Sequence, residues 1–231
     1  MTISKFHKVF FLVVVAGFMH TIPAAAQFSI DLDLNSRYIW RGTDFGNSPS
    51  IQPAMSYAMG GLEVGLWGAY ATNGDPAGSE VDLWVSYTFN SDAGSFSVYA
   101  TDYTFPIHHT GMTEAAETWL DSDAHTIELG LGYAGTDELP VSVFAGMFVH
   151  NDEDYSMYVE LGYDADPVEF FLGFSPFESA AYGTTGVGIV NLGITGSKEL
   201  IITENLSIGL SSSLIANIDA ENIHMLVGIS F

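Results

Sequence analysis

Ten charged side chains at alternating positions are the residues of this sequence with the clearest chemical potential. In extended segments they would share one face, because successive strand residues point to opposite faces. They are Asp31, Asp33, Arg37, Arg41, Glu63, Glu80, Asp82, Glu128, Glu160 and Glu169. Carboxylates along a wet wall concentrate cations, whereas carboxylates in a dry core are costly unless they are paired. We predict that these residues are pore-lining, in a lumen that is either open and cation-preferring or sealed.

Arg37 and Arg41 are the basic members of this set. On one strand they would share a face and lie roughly 13 Å apart, from the rise per residue. They could clamp an anionic solute. Pairing with acids of neighbouring strands, such as Glu63 or Glu80, is favoured because buried charges are normally paired.

Five histidines are expected at one end of the fold, close to several acids: His108, His109, His125, His150 and His224. Imidazole and carboxylate ligands together suit a transition metal. Their spacing matches no ligand signature, so we interpret them as solvated loop residues and predict neither a metal nor a cofactor. The sequence has no local serine–histidine–acid motif, which predicts no catalytic residues and no enzymatic activity.

The elements that would position these residues are amphipathic segments, most of which alternate apolar and polar residues as half-buried strands do. There are twelve, near residues 28–41, 50–59, 62–71, 79–89, 95–105, 124–133, 140–150, 155–163, 167–175, 185–195, 205–214 and 222–231. Residues 200–202 could extend the tenth strand. A membrane-spanning strand needs about 9–11 residues, which these segments supply. The sequence predicts an all-β fold, a closed up-and-down antiparallel transmembrane β-barrel of about 12 strands, over residues 27–231.

The predicted connections alternate between short turns, such as residues 60–61, and longer loops, such as residues 42–49 and 106–123. Short turns on one side and longer loops on the other are typical of outer-membrane barrels. Asp102 does not fit this pattern, because the alternation of its segment places its charged side chain towards lipid. It is expected at the outer rim, or a β-bulge changes the register before it.

Aromatic residues near strand ends predict girdles at the two membrane interfaces. They are Tyr38, Trp40, Tyr57, Tyr70, Tyr87, Phe89, Tyr133 and Tyr163. By parity Trp67 and Trp84 point inward, where packing on a glycine-rich wall is expected.

Residues 1–26 are predicted to be a cleaved signal peptide. Lys5 and Lys8 precede a short apolar run, and Ala24, Ala25 and Ala26 provide a cleavage site. The remaining chain has three basic residues against 28 acidic ones. Nucleic acid is therefore excluded as a partner on electrostatic grounds. Acid excess is also explained by a salty habitat.

The last ten residues alternate almost perfectly and end on Phe231. A closed barrel pairs its last strand with its first and so leaves no edge. We predict that this strand is the one that the barrel-assembly machinery recognises. The other expected partners are outer-membrane lipid and small solutes or ions.

Several stretches resemble the TorF-type family of uncharacterised, porin-like proteins of Gram-negative outer membranes. They are SRYIWRGT at 36–43, PSIQP at 49–53, GLWG at 65–68, EVDL at 80–83 and YTFP at 103–106. The resemblance implies an outer-membrane barrel, a possible pore and no catalytic residues. After Arg-Gly the family usually has a serine-rich sequence, whereas this chain has Asp44, Phe45 and Gly46. The resemblance therefore does not identify a ligand for this loop.

Together these features predict a protein of the cell outer membrane that acts as a passive, cation-preferring channel for small solutes. One alternative is a sealed structural or surface-interaction barrel, whose loops, especially residues 106–123, would bind a partner. Another is a secreted soluble β-sandwich, in which the apolar faces would form the core.

Overall fold

The computed structural model describes residues 27–105, 120–203 and 206–231. The expected signal peptide, His108, His109 and most of the 106–123 loop lie outside the described residues. Among the described residues, no helix has the length and apolarity that crossing a membrane requires.

Sixteen strands and two single-turn 3-10 helices make up the regular structure of the described residues. The strands are β1 (Gln27–Asn35), β2 (Tyr38–Trp40), β3 (Thr43–Phe45), β4 (Ser50–Met59), β5 (Leu62–Ala71), β6 (Glu80–Ser91), β7 (Gly94–Thr104), β8 (His125–Thr136), β9 (Leu139–His150), β10 (Met157–Asp164), β11 (Val168–Ser175), β12 (Glu178–Ser179), β13 (Thr184–Thr185), β14 (Gly188–Thr203), β15 (Leu206–Asn217) and β16 (Asn222–Ser230). The 3-10 helices span Pro76–Gly78 and Ser122–Ala124.

Twelve of the strands form one closed antiparallel barrel, in the order β1-β16-β15-β14-β11-β10-β9-β8-β7-β6-β5-β4. Each predicted amphipathic segment corresponds to one barrel strand, so the predicted fold class is confirmed. Strand β14 continues to Thr203, so residues 200–202 belong to a strand. A two-layer sandwich is excluded, because the sheet closes on itself.

The two faces of the barrel differ sharply in polarity. In β1, Phe28 is 64% exposed while Asp33 is 3% exposed. In β6, Leu83 is 54% exposed while Asp82 is completely buried. Since strand residues alternate between faces, the exterior is apolar and the acids point inward.

The barrel closes where β16 meets β1. Asp33, Leu34 and Asn35 lie opposite Ser230, Ile229 and Gly228. The backbone N–H of Phe231 donates to the carbonyl of Leu32 at 3.0 Å. The final strand therefore pairs with the first, as the alternation of the last ten residues predicts.

The two ends of the barrel carry different connections. Residues 60–61, 92–93, 137–138 and 165–167 connect strands at one end, called here the short-turn end. Residues 36–49, 72–79 and 176–187 lie at the other, called the long-loop end. The predicted alternation of short turns and longer loops is confirmed.

The first predicted strand, residues 28–41, is too long. Strand β1 stops at Asn35, and β2 and β3 form a separate two-stranded sheet, called here the inner hairpin. Its turn has positive φ at both central residues, 47° at Arg41 and 78° at Gly42. This combination twists a two-residue turn in the sense that a hairpin needs.

The inner hairpin reaches across the lumen. A Cβ atom at Gly42 would overlap the carbonyl oxygen of Val190, on β14. Only glycine therefore fits at this position. Tyr38 and Ile39 are buried inside the barrel. Tyr38 and Trp40 thus belong to the lumen, and their assignment to the aromatic girdle is wrong.

A second segment, residues 176–187, also folds inward and is called here the Tyr182 loop. It contains the β12–β13 pair. The Ser179 hydroxyl donates to the Ser156 hydroxyl at 2.7 Å, and the Ala180 N–H donates to Asp154 at 2.7 Å. These bonds dock the loop on residues 151–156 and place the Tyr182 ring, 8% exposed, in the lumen.

Asp102 keeps the outward parity that the sequence gives it. It lies opposite Leu83 on β6 and Ile127 on β8, in continuous register with β6. Its carboxylate meets Nδ1 of His125 at 2.8 Å, near the end of β7. The rim position is therefore the correct one of the two alternatives, and no bulge is needed.

Candidate functional site

The centre of the lumen holds a buried ion pair between Arg41 of the inner hairpin and Glu128 of β8. The two guanidinium nitrogens donate to the two carboxylate oxygens at 2.7 and 2.9 Å. The Tyr103 hydroxyl donates to the same carboxylate at 2.8 Å. Arg41 is 7% and Glu128 is 3% exposed, so the pair is almost fully removed from solvent.

Aromatic rings surround the Arg41 guanidinium. Its central carbon lies 4.3 Å from the ring centroid of Tyr158 and 4.6 Å from that of Trp40. Phe144 and Tyr182 lie at 5.3 and 5.8 Å. These distances are those of cation–π contacts. We call Arg41, Glu128 and these four rings the Arg41 layer.

Tyr182 also accepts a hydrogen bond from Arg41 through its hydroxyl. Burial raises the pKa of this hydroxyl well above its ordinary value, so the group stays protonated and neutral. The ring stacks on Trp40, with centroids 6.0 Å apart. Two inward-folded segments, the inner hairpin and the Tyr182 loop, therefore meet on one guanidinium.

Glu160 is held beside this layer by two polar neighbours. The Tyr158 hydroxyl donates to its carboxylate, and the Asn191 amide donates to Glu160 at 2.9 Å and to Tyr158 at 2.9 Å. A register shift at Gly173 and Phe174 lets both Val190 and Asn191 turn inward. Glu160 thus lies in a hydrogen-bonded wall.

Glu80 and Asp82 form an acidic wall two residues apart on β6. The Tyr38 hydroxyl donates to Glu80 at 2.6 Å, which ties the inner hairpin to the barrel. The completely buried Asp82 carboxyl group interacts with the neighbouring Glu80 carboxyl group and with the backbone of Thr104. Two buried carboxyl groups this close together are costly when both are ionised.

The other predicted pore-lining acids also lie on the inner face. Asp33 is buried, and Asp31 accepts from the Ser29 hydroxyl at 2.7 Å. Glu63 and Glu169 are half-buried near the short-turn end, next in sequence to the exposed Leu62 and Phe170.

Arg37 does not join Arg41. It pairs with Asp44 and Asn47 in a partly exposed loop. The expected arginine partners, Glu63 and Glu80, are wrong, because β1 ends before Arg37 and the chain turns away. Arg41 instead finds Glu128, 87 residues later in the sequence.

The histidines do not converge on a common centre. His125 contacts Asp102, and Nε2 of His150 lies 3.1 Å from the Ser122 carbonyl oxygen. Within residues 27–105, 120–203 and 206–231, no three histidine, cysteine or acidic side chains are placed to hold a metal ion.

One feature of the sequence points to the Arg41 layer. The segment 28–41 exceeds the roughly 9–11 residues that cross a membrane as a strand, so its end has to do something else. Nothing local indicates Tyr158, Tyr182 or Asn191, because they reach Arg41 only through barrel closure.

A protein-family profile described as "Bacterial protein of unknown function (Gcw_chp)" matches residues 21–185, more than half of the chain. The chain belongs to the Gcw_chp family. The matched region contains Arg41, Glu128 and Tyr182 and ends before β14. A bacterial family and a twelve-stranded barrel fit a Gram-negative barrel protein, while the finer TorF-type resemblance stays a prediction. Comparisons with curated proteins and with solved structures gave no match.

Proposed function

We propose that this Gcw_chp protein is a Gram-negative outer-membrane barrel that conducts small solutes passively, prefers cations and performs no catalysis. The observation that carries the proposal is the charge of the inner face. Eight carboxylates point inward, whereas Arg41 is the only buried basic side chain among the described residues. Glu128 pairs with that arginine, so no buried basic side chain among the described residues offsets the other seven carboxyl groups.

The exterior supports a lipid partner. Leu66, Val98 and Leu131 are 43%, 45% and 63% exposed, on three different barrel strands. Soluble proteins rarely expose apolar patches of more than a few hundred Å². In hydrocarbon such a surface is favourable, and the closed ladder satisfies the backbone without water. Closure by β16 supports its predicted role as the strand that the assembly machinery reads.

Cation preference follows from the same wall. Fixed negative charge in a narrow, low-dielectric passage raises the local concentration of cations and repels anions. The inner hairpin and the Arg41 layer narrow the passage between the two ends. We therefore expect small conductance steps rather than those of a wide porin.

Purified protein in a planar bilayer tests this proposal. We expect discrete conductance steps and, in a salt gradient, a reversal potential on the cation side. Asp31→Asn with Glu63→Gln should move that potential towards zero. The control is Asp137→Asn with Glu138→Gln, which removes the same charge from a short turn. Silence in repeated insertions, or anion preference, contradicts the channel.

A sealed barrel is the second candidate, favoured by the close packing around Arg41. Arg41→Gln combined with Glu128→Gln separates the two functions, because it removes the ion pair without leaving a buried charge. A channel conducts in the wild type and changes its conductance in the double variant. A sealed barrel is silent in the wild type and opens, if at all, only in the variant.

A further inference from the structure

A cavity of about 240 Å³ lies beside the Arg41 layer, towards the long-loop end. Its walls are largely aromatic, with five rings from the inner hairpin, the end of β7 and β9: Trp40, Phe45, Tyr103, Phe105 and Phe148. Sites for drug-sized ligands measure about 300–1,000 Å³. This cavity therefore suits only a small molecule.

The polar part of the wall is acidic. Glu80, which is 4% exposed, and Asp152 both line the cavity, and none of the described residues that line it is basic. Arg41, the nearest described guanidinium, is already paired with Glu128. These two acids repel an anionic occupant and attract a cationic one.

Aromatic faces and a carboxylate together recognise one class of ligand well. The negative face of an aromatic ring attracts a cation, and more strongly in a site removed from water. A small metal ion holds its water tightly and gains little from the rings. An alkylammonium group is weakly hydrated, apolar at its surface and positively charged.

The protein already uses this chemistry once. The Arg41 guanidinium lies between rings and against a carboxylate, and Trp40 belongs both to that cage and to the cavity wall. The cavity has the same kinds of groups, but no cationic side chain is among its described lining residues.

We propose that this cavity binds a small organic cation of the alkylammonium class, with Glu80 as its charge partner and the five rings as its cage. The inference goes beyond the proposed channel, because binding does not require conduction. It is tested on detergent-solubilised, folded protein.

Choline is a suitable probe, and 3,3-dimethylbutan-1-ol, its uncharged isostere, is the matched control ligand. Calorimetric titration should show saturable choline binding, with the isostere at least about tenfold weaker because it lacks the charge that the rings and Glu80 attract. Equal binding of both ligands, or no choline binding up to millimolar concentrations, overturns the proposal.

Two variants locate the site. Glu80→Gln should weaken choline binding by about tenfold or more, since it removes a buried charge partner. Glu63→Gln makes the same change near the short-turn end. Glu63 lies opposite Ser86, which is six residues, or roughly 20 Å, from Glu80 along β6. Glu63→Gln should leave binding unchanged, and equal losses in both variants overturn the assignment.

Phe105→Leu provides a second, independent measurement if Glu80→Gln folds poorly. It keeps an apolar side chain but removes one π face, so choline binding should weaken while weak isostere binding persists. Unchanged choline affinity in this variant contradicts an aromatic cage. Heat-dependent gel mobility verifies that each variant is folded before titration.

Discussion

At the scale of single residues, Arg41 organises the interior. It sits at a φ of 47°, which non-glycine residues adopt uncommonly, and it is buried among rings and one carboxylate. Buried ion pairs add little net stability compared with apolar packing, but breaking one leaves an uncompensated charge. Its role is therefore to fix where the inner hairpin sits.

Arg41→Ala should destabilise the folded barrel by about 3–5 kcal/mol, because Glu128 would remain buried without its partner. The free energy of unfolding, from urea titration in detergent, measures this. Arg37→Ala is the matched control in the same loop. Its pair with Asp44 is partly exposed, so the loss should be about 0–1 kcal/mol. Equal effects would contradict the assigned role of Arg41.

Gly42→Ala should be more damaging than the φ value alone explains, because its Cβ atom overlaps the Val190 carbonyl oxygen. Gly74→Ala separates the two causes. Gly74 has nearly the same φ, 77° against 78°, and open space around it. We expect Gly74→Ala to lower the free energy of unfolding by about 1–2 kcal/mol through backbone strain, and Gly42→Ala to lower it clearly more. Similar unfolding free energies would show that the hairpin does not press on β14.

At the scale of elements, two segments from the long-loop end fold back into the barrel. The inner hairpin supplies the guanidinium, and the Tyr182 loop covers it. Asp154 holds the second segment through Ser156 and Ala180. The hydrogen bond from Ser156, followed by that from Ala180, lowers the pKa of Asp154 below its ordinary value of 3.8.

Asp154→Asn should loosen the Tyr182 loop at neutral pH and speed chymotrypsin cleavage after the exposed Phe177. Glu153→Gln, at the neighbouring exposed acid, is the control and should leave the rate unchanged. Because the pKa of Asp154 is lowered, its contribution to docking is complete above pH 3.8 and is lost only as the pH falls further. The wild-type rate of cleavage after Phe177, measured relative to an unfolded substrate, should therefore stay constant between pH 8 and pH 6. Equal cleavage rates in both variants would refute this anchoring.

At the scale of the whole molecule, polarity is inverted relative to a water-soluble protein. Large apolar side chains cover the outside, and the Arg41–Glu128 pair and other acids such as Glu80 and Asp82 lie inside. Closure by β1 and β16 removes every edge from the main sheet. This arrangement is stable only if the surroundings of the strands are apolar.

Val85→Arg tests this inversion, because Val85 is an outward-facing residue near the middle of β6. In a bilayer an outward arginine near mid-depth costs about 2–4 kcal/mol, whereas on a water-exposed surface it costs almost nothing. Unfolding from lipid vesicles measures the difference. Asp137→Arg, in a short turn, is the control and should be nearly neutral. A neutral Val85→Arg would mean that lipid does not surround β6.

The sequence predicted the barrel strands well, but it did not predict the contacts of the Arg41 layer. The alternation of residues 222–231 predicted β16, its faces and its pairing with β1. The pattern of residues 28–41 wrongly predicted one long strand. Tyr38 to Arg41 continue the alternation of β1, but the backbone turns after Asn35. Local parity could not distinguish a longer strand from a hairpin inside the lumen.

The sequence by itself determined twelve strands, their inward and outward faces and the short-turn and long-loop ends. Each depends on a period of two and on turn residues, which are local properties of the chain. Only the tertiary structure decided that Arg41 meets Glu128, Tyr158 and Tyr182 and that five rings enclose a cavity next to them. Contacts across a lumen join residues far apart in sequence, and no local pattern records which of them face one another.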